Sequence, residues 1–238
     1  YQPVDTSELI SREHYLMWQP ESIGPYVRAG RFYAPFGLRL SEHILYIRRD
    51  LGFDLLEETY NVSGGFIFPE AEIHLTLFGP DLVRHIGSRE KGVAAYLERR
   101  LFDDAVALAG QMRLAAEPGV THFTAGAVAK AYSERLHSML LFEVDGVQSV
   151  FDNAAQTARR QVVGLLGVSV FPTTGVMVTL LGERNQVDVE LPDAWTAGTF
   201  LLNWFPYAHV ELQLMERVQF PEGGQAANTI LLQMHYYL

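Results

Sequence analysis

Four arginines, Arg28, Arg39, Arg48 and Arg49, fall within one stretch of the chain. A cluster of guanidinium groups can attract anions and grip a carboxylate or phosphate with paired N–H groups. The plainer reading, preferred here, pairs them with Glu42, Asp50, Asp54, Glu57 and Glu58 to fix a loop. Eight histidines invite a metal reading. His74, His122, His137 and His235 share no ligand spacing on one element, however, and read better as hydrogen-bonding wall residues. His137 and Ser138 are sequence neighbours, so on a strand they point to opposite faces and assemble no nucleophile and base. Gly64-Gly65 and Gly223-Gly224 lack the helix and lysine of a phosphate-cradling loop and read as bends. The expectation is a protein that is not an enzyme and needs no cofactor or metal.

Composition narrows the class. The chain has 238 residues, 48% of them apolar and 19% charged, with a net charge of -10 and no cysteine. Its mean hydropathy is +0.04. Eighteen basic residues spread along an acidic chain argue against nucleic acid as a partner. The absence of cysteine excludes disulfides, thiolate metal sites and covalent haem attachment, and suits a chain that crosses an oxidising periplasm. Tyr1-Gln-Pro-Val-Asp-Thr has neither the basic nor the apolar region of an export signal.

The elements that position these residues follow from one segment. Val162 to Gly182 runs 21 positions without a charge, long enough for a transmembrane helix. Pro172-Thr173-Thr174-Gly175 breaks it in the middle, and Val and Gly favour strands and turns, so it reads as a hairpin of two membrane-crossing strands. The unit recurs. Glu72, His74 and Thr76 alternate with Ile73, Leu75 and Leu77, and Glu211, Gln213 and Met215 alternate with Val210, Leu212 and Leu214. Thirteen antiparallel strands are expected at about 14–20, 26–35, 58–68, 71–79, 93–102, 105–116, 119–133, 136–148, 160–171, 176–184, 196–205, 209–219 and 228–238.

A soluble sandwich would turn the apolar faces inward, and a membrane barrel turns them to lipid. Three features favour the barrel. Aromatics gather at strand ends (Tyr26, Phe66, Phe68, Phe102, Phe171, Trp204, Phe205, Tyr236). Tight connections alternate with longer ones, with Glu117-Pro118 as the exception, as in outer-membrane barrels with short periplasmic turns and longer external loops. The last segment, Asn228 to Leu238, alternates cleanly. The charges expected to face the lumen are then Glu72, Glu98, Arg100, Arg113, Lys130, Glu143, Asp145, Glu183, Glu211 and Arg217, with His74 beside them. Mixed signs of this kind suit a hydrated channel, or a lumen packed by salt bridges around a plug.

With Leu238 at the periplasmic end, thirteen strands place the segment before His14 outside the cell. An odd number conflicts with the even count of bacterial single-chain barrels. The chain is therefore expected to form a single domain over 1–238 that is the C-terminal part of a larger barrel, of roughly sixteen or more strands. A long external loop over 36–57 carries a short helix, with Ser41 as its N-cap and Gly52 beyond its end.

Tyr26-Val-Arg-Ala-Gly-Arg-Phe-Tyr-Ala-Pro-Phe-Gly-Leu38, preceded by Tyr15-Leu-Met-Trp-Gln-Pro20, resembles outer-membrane porins of the phosphate-selective and related substrate-specific families. The segment Ser41 to Phe53 also resembles porin-like proteins that accompany multihaem cytochromes in outer-membrane electron conduits. Tyr236 and Leu238 resemble the closing-strand signal read by the barrel-assembly machinery, with Leu where Phe is usual. These resemblances imply a passive channel for small solutes in the bacterial outer membrane, in contact with lipid and able to form a homo-oligomer. The alternatives are a sheath around a partner such as a multihaem cytochrome, and a soluble β-sandwich binding module.

Overall fold

The structure, a computed structural model, describes residues 11, 13–54, 57–80, 89–153 and 158–237. The described chain is almost entirely strand: β1 (His14–Trp18), β2 (Gly24–Phe32), β3 (Thr59–Ile67), β4 (Ala71–Gly79), β5 (Lys91–Leu101), β6 (Val106–Glu117), β7 (Val120–Ser133), β8 (Ser138–Phe151), β9 (Arg159–Thr173), β10 (Val176–Asp188), β11 (Asp193–Tyr207), β12 (Val210–Pro221) and β13 (Ala227–Tyr236). One helical turn, α1 (Tyr46–Arg49), lies between β2 and β3. The strands form a single antiparallel sheet in sequence order, so that β1 and β13 have one neighbour each.

Period-two alternation becomes two faces of opposite chemistry. Ile73, Leu75 and Leu77 on β4, Leu108, Met112 and Leu114 on β6, and Ile230, Leu232, Met234 and Tyr236 on β13 are all exposed. Thr76, Gln111, Arg113, Glu143, Asp145, Gln213 and Arg217 are buried on the other face. Keeping each large apolar side chain in water forgoes about 1.5–3 kcal/mol of burial, so a continuous apolar surface of this extent requires an apolar solvent. Strands of about 9–11 residues cross a bilayer core when tilted, and nearly all of these reach that length. The outer apolar band is interrupted by Glu216 on β12 and Asn228 on β13, which hydrogen-bond to each other at 3.3 Å. No helix among the described residues is long and apolar enough to cross a membrane.

Several strands run further than their sequence suggests. β9 and β11 each have 15 residues, because polar termini such as Arg159-Arg160 and Asp193 continue the pairing past the apolar stretch that marked them. The hairpin within Val162 to Gly182 turns at Thr174-Gly175. His137 is in a turn and not on a strand. It has φ 43°, and together with Asp103, Asp104 and His209 it occupies the left-handed region that Asp and His tolerate better than most residues.

The buried hydrophobic core lies between the sheet and residues 33–54. Phe36, Leu38, Leu45, Tyr46, Ile47, Leu51 and Phe53 pack against Tyr96, Val128, Leu141, Val163, Leu165, Leu181, Leu201 and Met215 of the inner face. The connection from β2 to β3 is therefore an inward strap. Residues 38–42 line cavities whose other walls extend from β2 to β13. Eleven strand spacings amount to ~50 Å along a sheet. Five residues span at most ~17 Å. The sheet must curl around the strap to bring both ends to it.

The helix in this strap is shorter than its sequence predicts. Leu45 is the N-cap and makes no side-chain capping bond. Ser41 instead donates to Glu42 at 2.7 Å, and Glu42 accepts from Gln213 of β12 at 3.1 Å. Wall contacts win over the local cap and leave one turn. Of the closing-strand pair, Tyr236 ends β13 on the exposed face, whereas Leu238 is outside the described residues.

Candidate functional site

The inner face is a lattice of polar pairs that cross between strands. Ser63 and Thr76 are 2.8 Å apart, as are Ser169 and Thr179. Gln161 donates to Asn185 at 3.0 Å and Asn203 to Glu211 at 2.6 Å. Tyr26 and the ring of His74 meet at 2.5 Å, and His74 lies 3.3 Å from Glu72. Tyr96 donates to Glu98 at 2.6 Å, and Lys130 reaches the same carboxylate at 2.5 Å. A buried polar group is costly unless it is hydrogen-bonded, and these pairs satisfy one another where the strap and curvature restrict water.

The strap is docked onto this lattice through backbone N–H groups. Gly37 donates to Gln111 of β6 at 2.5 Å and Leu38 to Glu143 of β8 at 2.6 Å. Gln111 in turn donates to Glu143 at 3.0 Å and to Asp145 at 2.7 Å. Space at this point is made by two glycines. A Cβ on Gly37, which has φ 65°, would stand 2.3 Å from the Glu143 carboxylate, and one on Gly126 of β7 would stand 1.9 Å from Asp145 Oδ1. Further along, Tyr46 N–H donates to Glu183 of β10 at 2.6 Å, and Glu183 pairs with buried Arg217 of β12. Arg217 also donates to Thr199 at 2.8 Å and lies 4.8 Å from the Tyr46 ring centroid. Asn185 donates to Asp50 at 2.6 Å.

The four arginines separate into two kinds. Arg49 pairs with Asp50 at 2.8 Å, and this bond is the first cause that raises its pKa above the ordinary value. Arg48 donates to the carbonyls of Leu40 and Phe53. Arg28 and Arg39 pair with none of the acids in the strap. Arg28 stacks its guanidinium 3.7 Å from the Phe32 ring centroid. Arg39 keeps an exposed side chain on the strap, and its pKa is lowered, first by partial desolvation and then by the positive charge of Arg28.

Glu72, His74, Lys130 and Tyr96 line a cavity of about 470 Å³ on one side of the strap. Arg113 pairs with Glu90 next to Phe53 and Phe78. Arg100 is near the rim, 3.8 Å from Asp104. Glu211 accepts from His235 at 3.0 Å and from Tyr237. Among the described residues no three histidines or acids converge on a metal position. Gln111 and Tyr46, which anchor the strap, were not singled out from sequence. Gln111 was legible as the inward residue between Ala109 and Arg113, but nothing local marks Tyr46.

The sequence matches no family model, and no curated protein matches it. Among solved structures, the fold is similar to an anion-selective porin from Comamonas acidovorans, with a TM-score of 0.67, 10% identity, and coverage of 90% of this chain and 75% of that one. It is also similar to the outer membrane channel DcaP of Acinetobacter baumannii, with a TM-score of 0.59, 9% identity, and coverage of 89% and 72%. At these identities the likeness concerns the fold. The chain is an antiparallel, porin-type transmembrane β-barrel sheet.

Proposed function

We propose that this chain forms the wall and constriction of a porin-like channel that lets small solutes cross the bacterial outer membrane. One observation carries the reading: a sheet that is apolar outside and polar inside bears an inward strap with cavities of about 470 and 360 Å³ beside it. A barrel satisfies its backbone hydrogen bonds strand to strand, presents apolar side chains to lipid, and leaves the inner face to set size and charge selectivity. Passive diffusion of this kind needs no catalytic residue. The segment Tyr26 to Leu38, which resembles substrate-specific porins, supplies the root of that strap. A sheath around a second polypeptide is less well supported, because residues 33–54 take up the inner face such a partner would occupy.

The test is single-channel recording of the full-length protein in planar bilayers. Discrete, voltage-tolerant conductance steps are expected, together with heat-modifiable migration on gels. Membranes that stay silent while the protein still shows the folded gel band would sink the channel reading.

A further inference from the structure

Between residues 40–42 of the strap and the inner face from β8 to β13 lies a cavity of about 300 Å³. It adjoins the 470 Å³ cavity at Leu40, Met139 and Leu141, which line both. Its walls are of two kinds. Met139, Leu141, Met177, Leu181, Leu201 and Phe205 present hydrocarbon and thioether surface. Ser169 and Thr179, which stand among them, bond to each other at 2.8 Å, so their hydroxyls are spent within the wall. Glu42, Asn203, Glu211 and Gln213 bring oxygen acceptors to the rest.

Asn203 is the group this wall leaves incomplete. Register sets it between Met177 of β10 and Gln213 of β12. It is 4% exposed, and its Nδ2 donates to Glu211 at 2.6 Å. Its Oδ1 is buried and, among the described residues, accepts from no group. The bond to Glu211 fixes which edge of the amide is oxygen, so what the site lacks is a donor. A buried acceptor without a donor is costly, and a ligand that brings one recovers that cost. Charge narrows the kind of donor. Glu42 and Glu211 line the cavity and no lysine or arginine does, while His235 is bonded to Glu211 at 3.0 Å. Two carboxylates at an enclosed, partly apolar space favour a cation over an anion.

We propose that this cavity binds a small apolar ammonium, a protonated alkyl- or arylamine, with its hydrocarbon against the methionine and leucine wall and one N–H donated to Asn203 Oδ1. An ammonium carries three donors and no acceptor, which suits a site rich in acceptors. An apolar cavity of about 150 Å³ already accepts a benzene ring, so twice that volume holds a ring with a short polar arm. The methionine side chains adjust to its shape. Retention here adds a preference for such amines to the channel proposed above, but the binding itself does not depend on conduction.

The experiment is calorimetric titration of the full-length protein in detergent with three probes. Benzylammonium has ring, charge and N–H donors; benzyltrimethylammonium keeps ring and charge without a donor; benzyl alcohol keeps ring and donor without charge. Benzylammonium should bind about tenfold more tightly than either of the others. Asn203→Ala should weaken benzylammonium to the level of the trimethyl probe and leave that probe unchanged. Met177→Gln, on the apolar wall, should weaken all three severalfold, and it decides the matter if Asn203→Ala loses the folded gel band. No binding of benzylammonium, equal binding of the two cations, or wild-type affinity in either folded variant overturns the site. Conductance without amine binding leaves the channel reading standing, and amine binding by a protein that does not conduct leaves the site standing while the channel reading fails.

Discussion

Arg217 shows how a single residue holds the strap indirectly. Its guanidinium, buried on β12, neutralises Glu183 on β10 across Thr199, and Glu183 then accepts the Tyr46 N–H. Removing one member of a buried ion pair leaves the other without a counter-charge in a poorly solvated place, at a cost of about 3–5 kcal/mol. Arg217→Met should therefore destabilise the folded barrel by about that amount, read as an earlier midpoint in urea unfolding from vesicles. Glu183→Gln/Arg217→Met should recover much of the loss, since no lone charge remains. A double variant as unstable as the single one would mean that packing, not charge, is at stake. Alternation alone places both residues on the inner face, and that much was legible in the sequence. Their partnership was not, because it skips a strand and depends on how far the sheet curls. The same holds for Arg28 and Arg39: their clustering was visible, but their lack of acid partners in the strap was not, since the nearby Glu42, Asp50 and Glu57 turn to other groups.

At the scale of elements, the strands were readable and the strap was not. Each strand carries its own evidence in period-two alternation; charged residues prolong the pairing at Asp188 of β10 and Asp193 of β11, whereas β1 and β2 end at Trp18 and Phe32, before their expected ends. The strap has no period. Its conformation is set by wall groups far away in sequence, which is why a helix expected from Ser41 shrinks to α1. Glu57 offers a test of how the strap is held. It is half-buried, and its carboxylate accepts the Asp54 N–H at 2.9 Å. Burial raises its pKa above the ordinary value against that hydrogen bond, and the nearby charges of Asp54 and Glu90 add to the rise. A folded-state pKa above the unfolded one means that the protonated form is favoured in the fold. The contribution is thus fully present below the ordinary glutamate value of about 4.3, and it is lost as pH rises through the raised value. Strap amides should exchange hydrogen more readily at neutral pH than at mildly acidic pH, after correction for intrinsic rates. Glu57→Gln should flatten that difference, and an unchanged pH profile in the variant would assign the effect to another group.

For the whole molecule, the sign of the two faces decides everything else. An apolar exterior, a polar interior and connections that alternate between tight and long were all present in the sequence, because each is a pattern along the chain. The curl of the sheet around residues 33–54 is a property of all the strands together, and it is this curl that turns a polar face into a confined pathway. If solute passes beside the strap, the strap limits the flow. Replacing residues 37–53 with a short glycine and serine linker should leave the strands paired, since their backbone hydrogen bonds do not involve the strap. The variant should then keep heat-modifiable migration while its single-channel conductance rises severalfold. Exposure of the polar lattice to water should be tolerated, because groups such as Gln111, Glu143 and Glu183 exchange strap N–H groups for water. Unaltered conductance in a variant that still folds would place the narrowest point elsewhere, and with it the residues that choose the solute.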